Sequence, residues 1–250
     1  MPRFSANLGF LWAELSLPDA IHAAHKAGFQ AVECHWPYDT DAADIKVALE
    51  ATGLPMLGLN TIRGSEGENG LSALPGREDE ARAAIDQAIA YAVQIGAQNI
   101  HVMAGFAQGQ DAEATFRANL HYACSQAAPH DVTILIEPLN HHDAPGYFLS
   151  TSAHAKVIID ALAQPNLKLM FDCYHLQIME GDITRRLTDL RPIIGHIQIA
   201  SVPDRAEPDH GELDHAHIFA LLDTLGYEAP VGAEYKPATT TDAGLGWLLR

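Results

Sequence analysis

Short apolar stretches alternate along the chain with longer segments in which apolar residues recur three and four positions apart. We predict strands in the short stretches, at residues 4–10, 31–36, 55–60, 99–105, 133–139, 167–173, 194–200 and 229–235. The longer segments, such as 78–95 and 111–128, have the period of amphipathic helices. Glycine can adopt the left-handed conformation that ends a helix. It stands shortly before four of the strands, as Gly28, Gly53, Gly96 and Gly226.

This alternation predicts an α/β fold with a parallel sheet covered by helices. Eight strand–helix units in 250 residues favour a single (β/α)8 barrel domain over residues 1–250. The alternative is an open, doubly wound sheet. No Gly-x-Gly-x-x-Gly motif follows the first strand, so we expect no nucleotide cofactor. The glycine-rich loop 61–77 follows the third strand, and we expect it on the catalytic face, where it is a candidate lid.

The net charge of the chain limits the kinds of molecule that it can bind. Fifteen Lys and Arg residues against 32 Asp and Glu residues give a formal net charge of −17. We therefore expect neither nucleic acid nor an anionic membrane as a partner. A small anionic substrate remains compatible with this charge, because a bound metal reverses the local field.

Cysteine usage and targeting signals indicate a compartment. Cys34, Cys124 and Cys173 are odd in number and widely spaced, which is typical of buried thiols in a reducing environment. The chain shows neither a signal-peptide pattern at its start nor an apolar run of about 18 residues. We therefore expect a cytoplasmic protein without a membrane span.

Polar residues gather near the carboxyl ends of the predicted strands, where barrel active sites are built. Four of them follow apolar stretches on four consecutive strands, as Glu137, Asp172, Gln198 and Glu234. Three converging carboxylates would repel one another and raise one another's pKa values, so we predict a divalent cation between them. Carboxylate and amide oxygens favour Mg²⁺ or Mn²⁺, although cobalt and zinc also occupy such sites.

Other polar residues at strand ends offer contacts to a substrate, namely Asn60, His101 and Lys236. Each also has a structural interpretation as a helix cap, a loop hydrogen-bonding group or half of an ion pair. His196 stands two residues before Gln198, so it shares that face of the strand one layer deeper and is either a core histidine or a residue that supports the site. Glu33 and His35 are further candidates for the pocket wall.

The predicted metal site suits proton transfer between adjacent carbons. A substrate with neighbouring carbonyl and hydroxyl oxygens would chelate the cation, which lowers the pKa of the adjacent C–H bond. One carboxylate would remove that proton to give a cis-enediolate, whose charge the metal stabilises. Return of a proton to the other carbon completes an aldose–ketose isomerisation without a redox cofactor or a covalent nucleophile.

Long motifs resemble those of the hydroxypyruvate isomerase family, in the family's order and over essentially the whole chain. They are IEPLN (136–140), APGYFL (144–149), FDCYHLQIMEGD (171–182), GHIQIASVPDRAEPDHGEL (195–213), WPYD (36–39), ALPGRE (73–78), HVMAG (101–105) and GAEYKP (232–237). The resemblance implies a xylose isomerase-like TIM barrel that converts hydroxypyruvate reversibly to 2-hydroxy-3-oxopropanoate. A 2-oxo-tetronate isomerase, whose substrate is one carbon longer, or another small keto-acid or sugar isomerase or epimerase, is the alternative.

The resemblance also implies roles for individual residues. Glu137 and Glu234 correspond to a pair that transfers the proton while touching the metal. Asp172 and Gln198 correspond to the remaining metal ligands. His175 matches a histidine that contacts a substrate oxygen in related sugar epimerases.

For Arg205, the resemblance implies that its guanidinium binds the substrate's carboxylate with two hydrogen bonds.

Two functions of other kinds remain as alternatives. Phosphodiester hydrolysis, as in endonuclease IV-like barrels, would need a histidine-rich three-metal site and a basic groove. A non-catalytic sugar-acid binding protein would not need two ionisable carboxylates beside the metal. The oligomeric state is not indicated by the sequence.

Overall fold

All eight predicted strands are present in the computed structural model, which describes residues 2–249. They are β1 (Phe4–Asn7), β2 (Ala31–Glu33), β3 (Gly58–Asn60), β4 (Asn99–His101), β5 (Thr133–Ile136), β6 (Leu167–Asp172), β7 (Ile194–Ile199) and β8 (Val231–Ala233). Most of them end before the predicted boundary. The ends of the predicted domain, Met1 and Arg250, lie outside the described residues.

The strands pair in parallel, in the order β2-β1-β8-β7-β6-β5-β4-β3. Hydrogen bonds between β2 and the residues before β3 join the two ends of this sheet. Val32 N donates to Pro55 O at 3.0 Å, and Leu57 N donates to Val32 O at 2.7 Å. The sheet therefore curves into a barrel, which confirms the predicted architecture and excludes the open doubly wound sheet.

Helices follow the strands and cover the barrel. They are α1 (Leu17–Ala27), α2 (Ala42–Thr52), α3 (Glu78–Ile95), α4 (Gly109–Ala127), α5 (Ser152–Leu162), α6 (Cys173–Met179), α7 (Ile183–Leu190), α8 (His215–Thr224) and α9 (Thr241–Gly244). The two segments singled out from their periodicity correspond to α3 and α4. The four glycines predicted to end helices all have positive φ, between 63° and 94°.

The face that α3 turns toward the barrel explains why its sequence forms a helix there. Ala81, Ala84, Ala88 and Ala92 recur three or four residues apart, and all are buried. Small side chains at these positions let the helix pack closely, and alanine costs the least free energy in a helix. Acidic residues fill the first turn, where they interact favourably with the helix dipole.

The interior contains further predicted features. All three cysteines are buried and free, as expected for thiols outside a disulfide framework. Within residues 2–249, none of the helices has the length and apolar character needed to cross a membrane.

Candidate active site

Four polar side chains converge at the carboxyl ends of β5, β6 and β8. Single ligand atoms of Glu137, Asp172, His175 and Glu234 all lie within 4.8 Å of one another. Gln198 on β7 is the register partner of Asp172, which places it beside the same cluster. The four predicted metal ligands are each at most 5% exposed. The folded chain therefore brings together the residues that were predicted from strand position.

Three of the predicted ligands present a buried oxygen that finds no hydrogen-bond partner among the described residues. These atoms are Glu137 Oε1, Asp172 Oδ2 and Gln198 Oε1. The other oxygen of Asp172 accepts from Tyr174 N at 2.8 Å, so Asp172 also caps α6. Unpaired buried oxygens are costly, and three of them in one place fit a bound cation. Their chemistry suits a hard divalent ion held by these three residues and Glu234.

Glu33 fixes the orientation of the Gln198 amide. Gln198 Nε2 donates to Glu33 Oε1 at 2.8 Å, which leaves Gln198 Oε1 as the free end of the amide. His196 Nε2 lies 2.6 Å from the other oxygen of Glu33, so His196 supports the site through Glu33. Asn7 Nδ2 donates to Glu33 Oε1 and to Glu234 Oε1, at 3.0 Å each. These contacts tie the predicted ligands to β1 and β2.

His175 lies close to the carboxylates but does not suit metal coordination. Its Nδ1 accepts hydrogen bonds from Asn140 N at 3.0 Å and from Asn140 Nδ2 at 2.8 Å. Burial lowers the pKa of His175 well below its ordinary value, so the ring is neutral and its single proton resides on Nε2. Nε2 lies 3.7 Å from Asp172 Oδ2 and 3.9 Å from Glu137 Oε1. A protonated ring nitrogen donates rather than coordinates, so the predicted ligand set with Gln198 fits a cation better than one with His175.

The surroundings shift the pKa values of the two glutamates in opposite directions. Burial, reinforced by Glu234 and Asp172, raises the pKa of Glu137 well above its ordinary value. Burial also disfavours ionised Glu234, but Arg205 and His35 outweigh it and hold the pKa of Glu234 below its ordinary value. Arg205 Nη2 lies 2.7 Å and His35 Nε2 lies 2.8 Å from the Glu234 carboxylate. Neighbouring carboxyl groups whose pKa values are shifted apart are candidates for an acid and base pair.

Arg205 is held from several sides. Its guanidinium lies 5.0 Å from the ring centroids of both Phe10 and Tyr174. Nη1 donates to Asp143 at 3.2 Å, while Nη2 is bound to Glu234. A bidentate hold on a substrate carboxylate would therefore require both nitrogens to exchange partners. Arg205 contacts Glu234 directly, which was not foreseen from the sequence.

A cavity of about 110 Å³ opens above the cluster. Asn60 and His101 line it as predicted, together with Glu137, His175 and Glu234. Its volume is small compared with typical ligand pockets of about 300–1,000 Å³, so it suits a substrate of few carbons. The pocket is confined at its base by buried strand ends.

Two predicted substrate contacts differ in their environment. His101 is buried with its Nδ1 3.4 Å from Glu137, and burial lowers its pKa to about 4, so it is neutral. Lys236 is exposed and does not line the cavity; its Nζ lies 5.9 Å from the Phe10 ring centroid, at the rim.

Several wall residues were not predicted from the sequence. Phe10, Arg63, Asn69 and Asp143 line the cavity, and Asn7 lies beneath it. Asn7 is a polar residue at the end of an apolar strand, the same signal that identified the other ligands, so the sequence contained the means to find it. The others lie on loops, where no strand period marks them.

Comparison with known proteins identifies the family. Residues 21–250 match the family model described as xylose isomerase-like TIM barrel. A 2-oxo-tetronate isomerase from Cupriavidus necator is 46% identical, over 99% of this chain and 98% of that protein. The hydroxypyruvate isomerase of Escherichia coli is 40% identical, over 99% of this chain and 98% of that protein.

Among solved structures, a Brucella melitensis protein described as AP endonuclease, family 2, is 40% identical and superposes with a TM-score of 0.96, over 100% of this chain and 98% of that one. The fold, the motifs and the full-length similarity agree. The chain therefore belongs to the xylose isomerase-like TIM barrel family, within the group of hydroxypyruvate and 2-oxo-tetronate isomerases.

Proposed function

We propose that this isomerase acts on a small 2-keto acid, interconverting hydroxypyruvate and 2-hydroxy-3-oxopropanoate, with the one-carbon-longer 2-oxo-tetronate as the alternative substrate. The observation that carries the proposal is the convergence of Glu137 and Glu234, with Asp172 and Gln198 beside them, on one small cavity at the carboxyl ends of the strands. The names of the full-length relatives support the same substrate class.

The proposed cofactor is Mg²⁺ or Mn²⁺, held by Glu137, Asp172, Gln198 and Glu234. Support comes from the three buried oxygens without partners and from the hard-donor character of the set. When bound, a divalent ion supplies Lewis acidity to vicinal substrate oxygens and offsets the charge that develops on them. The orientation that Glu33 gives the Gln198 amide keeps an oxygen available for this role.

The two glutamates carry the proton transfer in this proposal. Ionised Glu234 removes a proton from the hydroxymethyl carbon of hydroxypyruvate, and protonated Glu137 delivers one to the former carbonyl carbon. The hydroxyl oxygen loses its proton and the former carbonyl oxygen gains one, so the substrate keeps its overall composition. Glu234 then releases its proton to solvent and Glu137 takes one up, which restores the pair for the next turnover. The Nε2–H of His175 is placed to donate a hydrogen bond to a substrate oxygen.

Phosphodiester hydrolysis finds less support, although one structural relative is described as an AP endonuclease. The net charge of −17 opposes nucleic-acid binding. Within residues 2–249, one cluster of His, Cys, Asp and Glu side chains has metal-site spacing, and it contains a single histidine that donates rather than coordinates.

Isomerisation in D₂O tests the proposed function. With a divalent ion present, we expect turnover of hydroxypyruvate or of the four-carbon acid, with deuterium bound to carbon in the product. Separate acid and base glutamates predict near-complete deuterium incorporation, because the proton delivered by Glu137 exchanges with solvent before each turnover. Mass spectrometry of products from both acids gives the measurement.

The same experiment ranks the two substrates through their kcat/KM values. Absence of turnover for both acids would overturn the proposed function. Turnover with no deuterium on carbon would overturn the proton-transfer mechanism, since hydrogen would then move without leaving the substrate.

A further inference from the structure

The loop over residues 61–77 places an arginine at the mouth of the active-site cavity. Arg63 lines the cavity of about 110 Å³ that contains both glutamates. It also lines a neighbouring outer cavity of about 460 Å³, formed by residues 63–69, Phe106 and Asp143. Arg63, Asn69 and Asp143 line both cavities, so Arg63 lies where the outer cavity adjoins the inner one.

Arg63 carries a positive charge that no carboxylate of the described chain takes up. Within residues 2–249, its guanidinium makes neither a hydrogen bond nor an ion pair, in a protein of net charge −17. Two of the three acidic residues that line the outer cavity are engaged elsewhere: Glu68 binds Arg77 and the backbone of Ser65, and Asp143 binds Arg205. An arginine left unpaired among so many acids is available to an anionic ligand.

The local structure holds this guanidinium in place. It stacks over the ring of Trp36, 4.1 Å from the centroid. Gly70 N donates to Arg63 O at 2.8 Å and closes the turn that contains it. Gly70 has a φ of 113°, and a Cβ at this position would lie 2.4 Å from Met103 O, so the turn packs directly against the chain after β4. The turn closed by Gly70 and the ring of Trp36 together restrict the position of the Arg63 guanidinium.

The other cations near the cavity are less suited to an incoming carboxylate. Arg205 has Nη1 bound to Asp143 and Nη2 bound to Glu234. Lys236, which is exposed as Arg63 is, does not line the cavity. Among the described basic residues of the cavity wall, Arg63 is the one with an uncommitted charge.

We propose that Arg63 binds the carboxylate of the substrate and so makes the enzyme selective for keto acids over uncharged sugars of the same size. This inference rests on the proposed function and assigns the residue that recognises its substrate class. The reacting carbons lie at the glutamates, and the carboxylate points toward the mouth and the guanidinium of Arg63. Arg205 then remains a substrate-contacting residue beside Glu234 and keeps that carboxylate ionised.

The test compares Arg63→Gln and Arg63→Lys with the wild-type enzyme on two ligands that differ in charge. Hydroxypyruvate has the carboxylate, and dihydroxyacetone has a hydroxymethyl group in its place. For Arg63→Gln we expect the KM for hydroxypyruvate to rise about 10- to 100-fold with kcat little changed, since a charge-assisted hydrogen bond is lost. The KM of Arg63→Lys for hydroxypyruvate should lie between those of the wild type and Arg63→Gln, because lysine keeps the charge but cannot form the two parallel hydrogen bonds of a guanidinium.

The same substitution should leave kcat/KM for dihydroxyacetone unchanged. Pyruvate has the ketone and the carboxylate but no hydroxymethyl group to react, and its inhibition constant should rise in parallel with the KM for hydroxypyruvate. Arg185→Gln, an exposed arginine outside the cavity, is the matched control and should alter none of these values. Equal losses on both ligands would overturn the proposal, because a structural role does not distinguish them.

Failure of this inference can be told apart from failure of the proposed function. A wild-type enzyme that isomerises neither acid overturns the proposed function, and the inference with it. An active wild-type enzyme whose KM for hydroxypyruvate is unchanged by Arg63→Gln overturns the inference alone. A rise in that KM in Arg205→Lys without one in Arg63→Gln would assign the carboxylate to Arg205.

Discussion

Replacing Glu137 or Glu234 with glutamine is expected to lower kcat by about 100- to 10,000-fold, the range that a positioned acid or base contributes. Glutamine keeps the shape of the side chain but neither accepts nor delivers the proton. Steady-state kinetics with hydroxypyruvate measure the loss. Because Glu137 Oε1 has no hydrogen-bond partner among residues 2–249, its amide variant should keep the fold, as judged by circular dichroism and the thermal midpoint.

The matched control for these variants is Glu50→Gln, which removes the same charge from an exposed position on α2. It should retain wild-type kcat and KM. Wild-type turnover in either Glu137→Gln or Glu234→Gln would remove that residue from the proton-transfer pair. Retained ligand binding with no activity in any variant or in the wild type would favour the non-catalytic binding protein.

Removal of divalent ions is expected to abolish turnover, and Mg²⁺ or Mn²⁺ should restore it. The carboxylates of Glu137, Asp172 and Glu234 lie together in a buried place, and their mutual repulsion is relieved by a cation. The experiment measures the rate after exhaustive dialysis against a chelator and again after titration with each ion. Full activity in the chelated protein would contradict the metal role.

The affinity for Mn²⁺ should also depend on pH in a defined direction. Without metal, burial and the charge of Glu234 raise the pKa of Asp172 to about 7. A cation must displace the proton of Asp172, so its affinity should increase between pH 5 and pH 8. Calorimetric titration at several pH values measures this; affinity that falls as pH rises would contradict it.

Strand position was sufficient to predict which four polar side chains lie together at the carboxyl ends of the strands. Glu137, Asp172, Gln198 and Glu234 each follow an apolar stretch, and parallel strands in a barrel bring such ends to one face. The side-chain alternation also held along β7, where His196 and Gln198 both contact Glu33. These features depend on local pattern and topology, which the sequence contains.

The position of Lys236 could not be predicted from strand alternation. It stands two residues after Glu234, and within a strand the two side chains would share a face. The strand ends at Ala233, so the alternation no longer applies and Lys236 lies at the exposed rim. Strand ends are the least reliable part of such a prediction, because they depend on where the ladder partners end.

Contacts between distant residues could not be predicted either. The proton on His175 Nε2 follows from hydrogen bonds donated by Asn140, and the ionised state of Glu234 follows from Arg205 and His35. Nothing in the spacing of these residues along the chain specifies such pairs. The position of Arg63 depends on a loop that packs against β4 and Trp36, and loops have no periodic signal.

A crystal structure of the Mn²⁺-loaded protein, with the ion located by its anomalous scattering, tests the central claim most directly. We expect a single ion bound by oxygen atoms of Glu137, Asp172, Gln198 and Glu234, with His175 Nε2 outside its coordination sphere. An ion coordinated by His175 in place of Gln198, or the absence of any ion among these four side chains, would contradict the account.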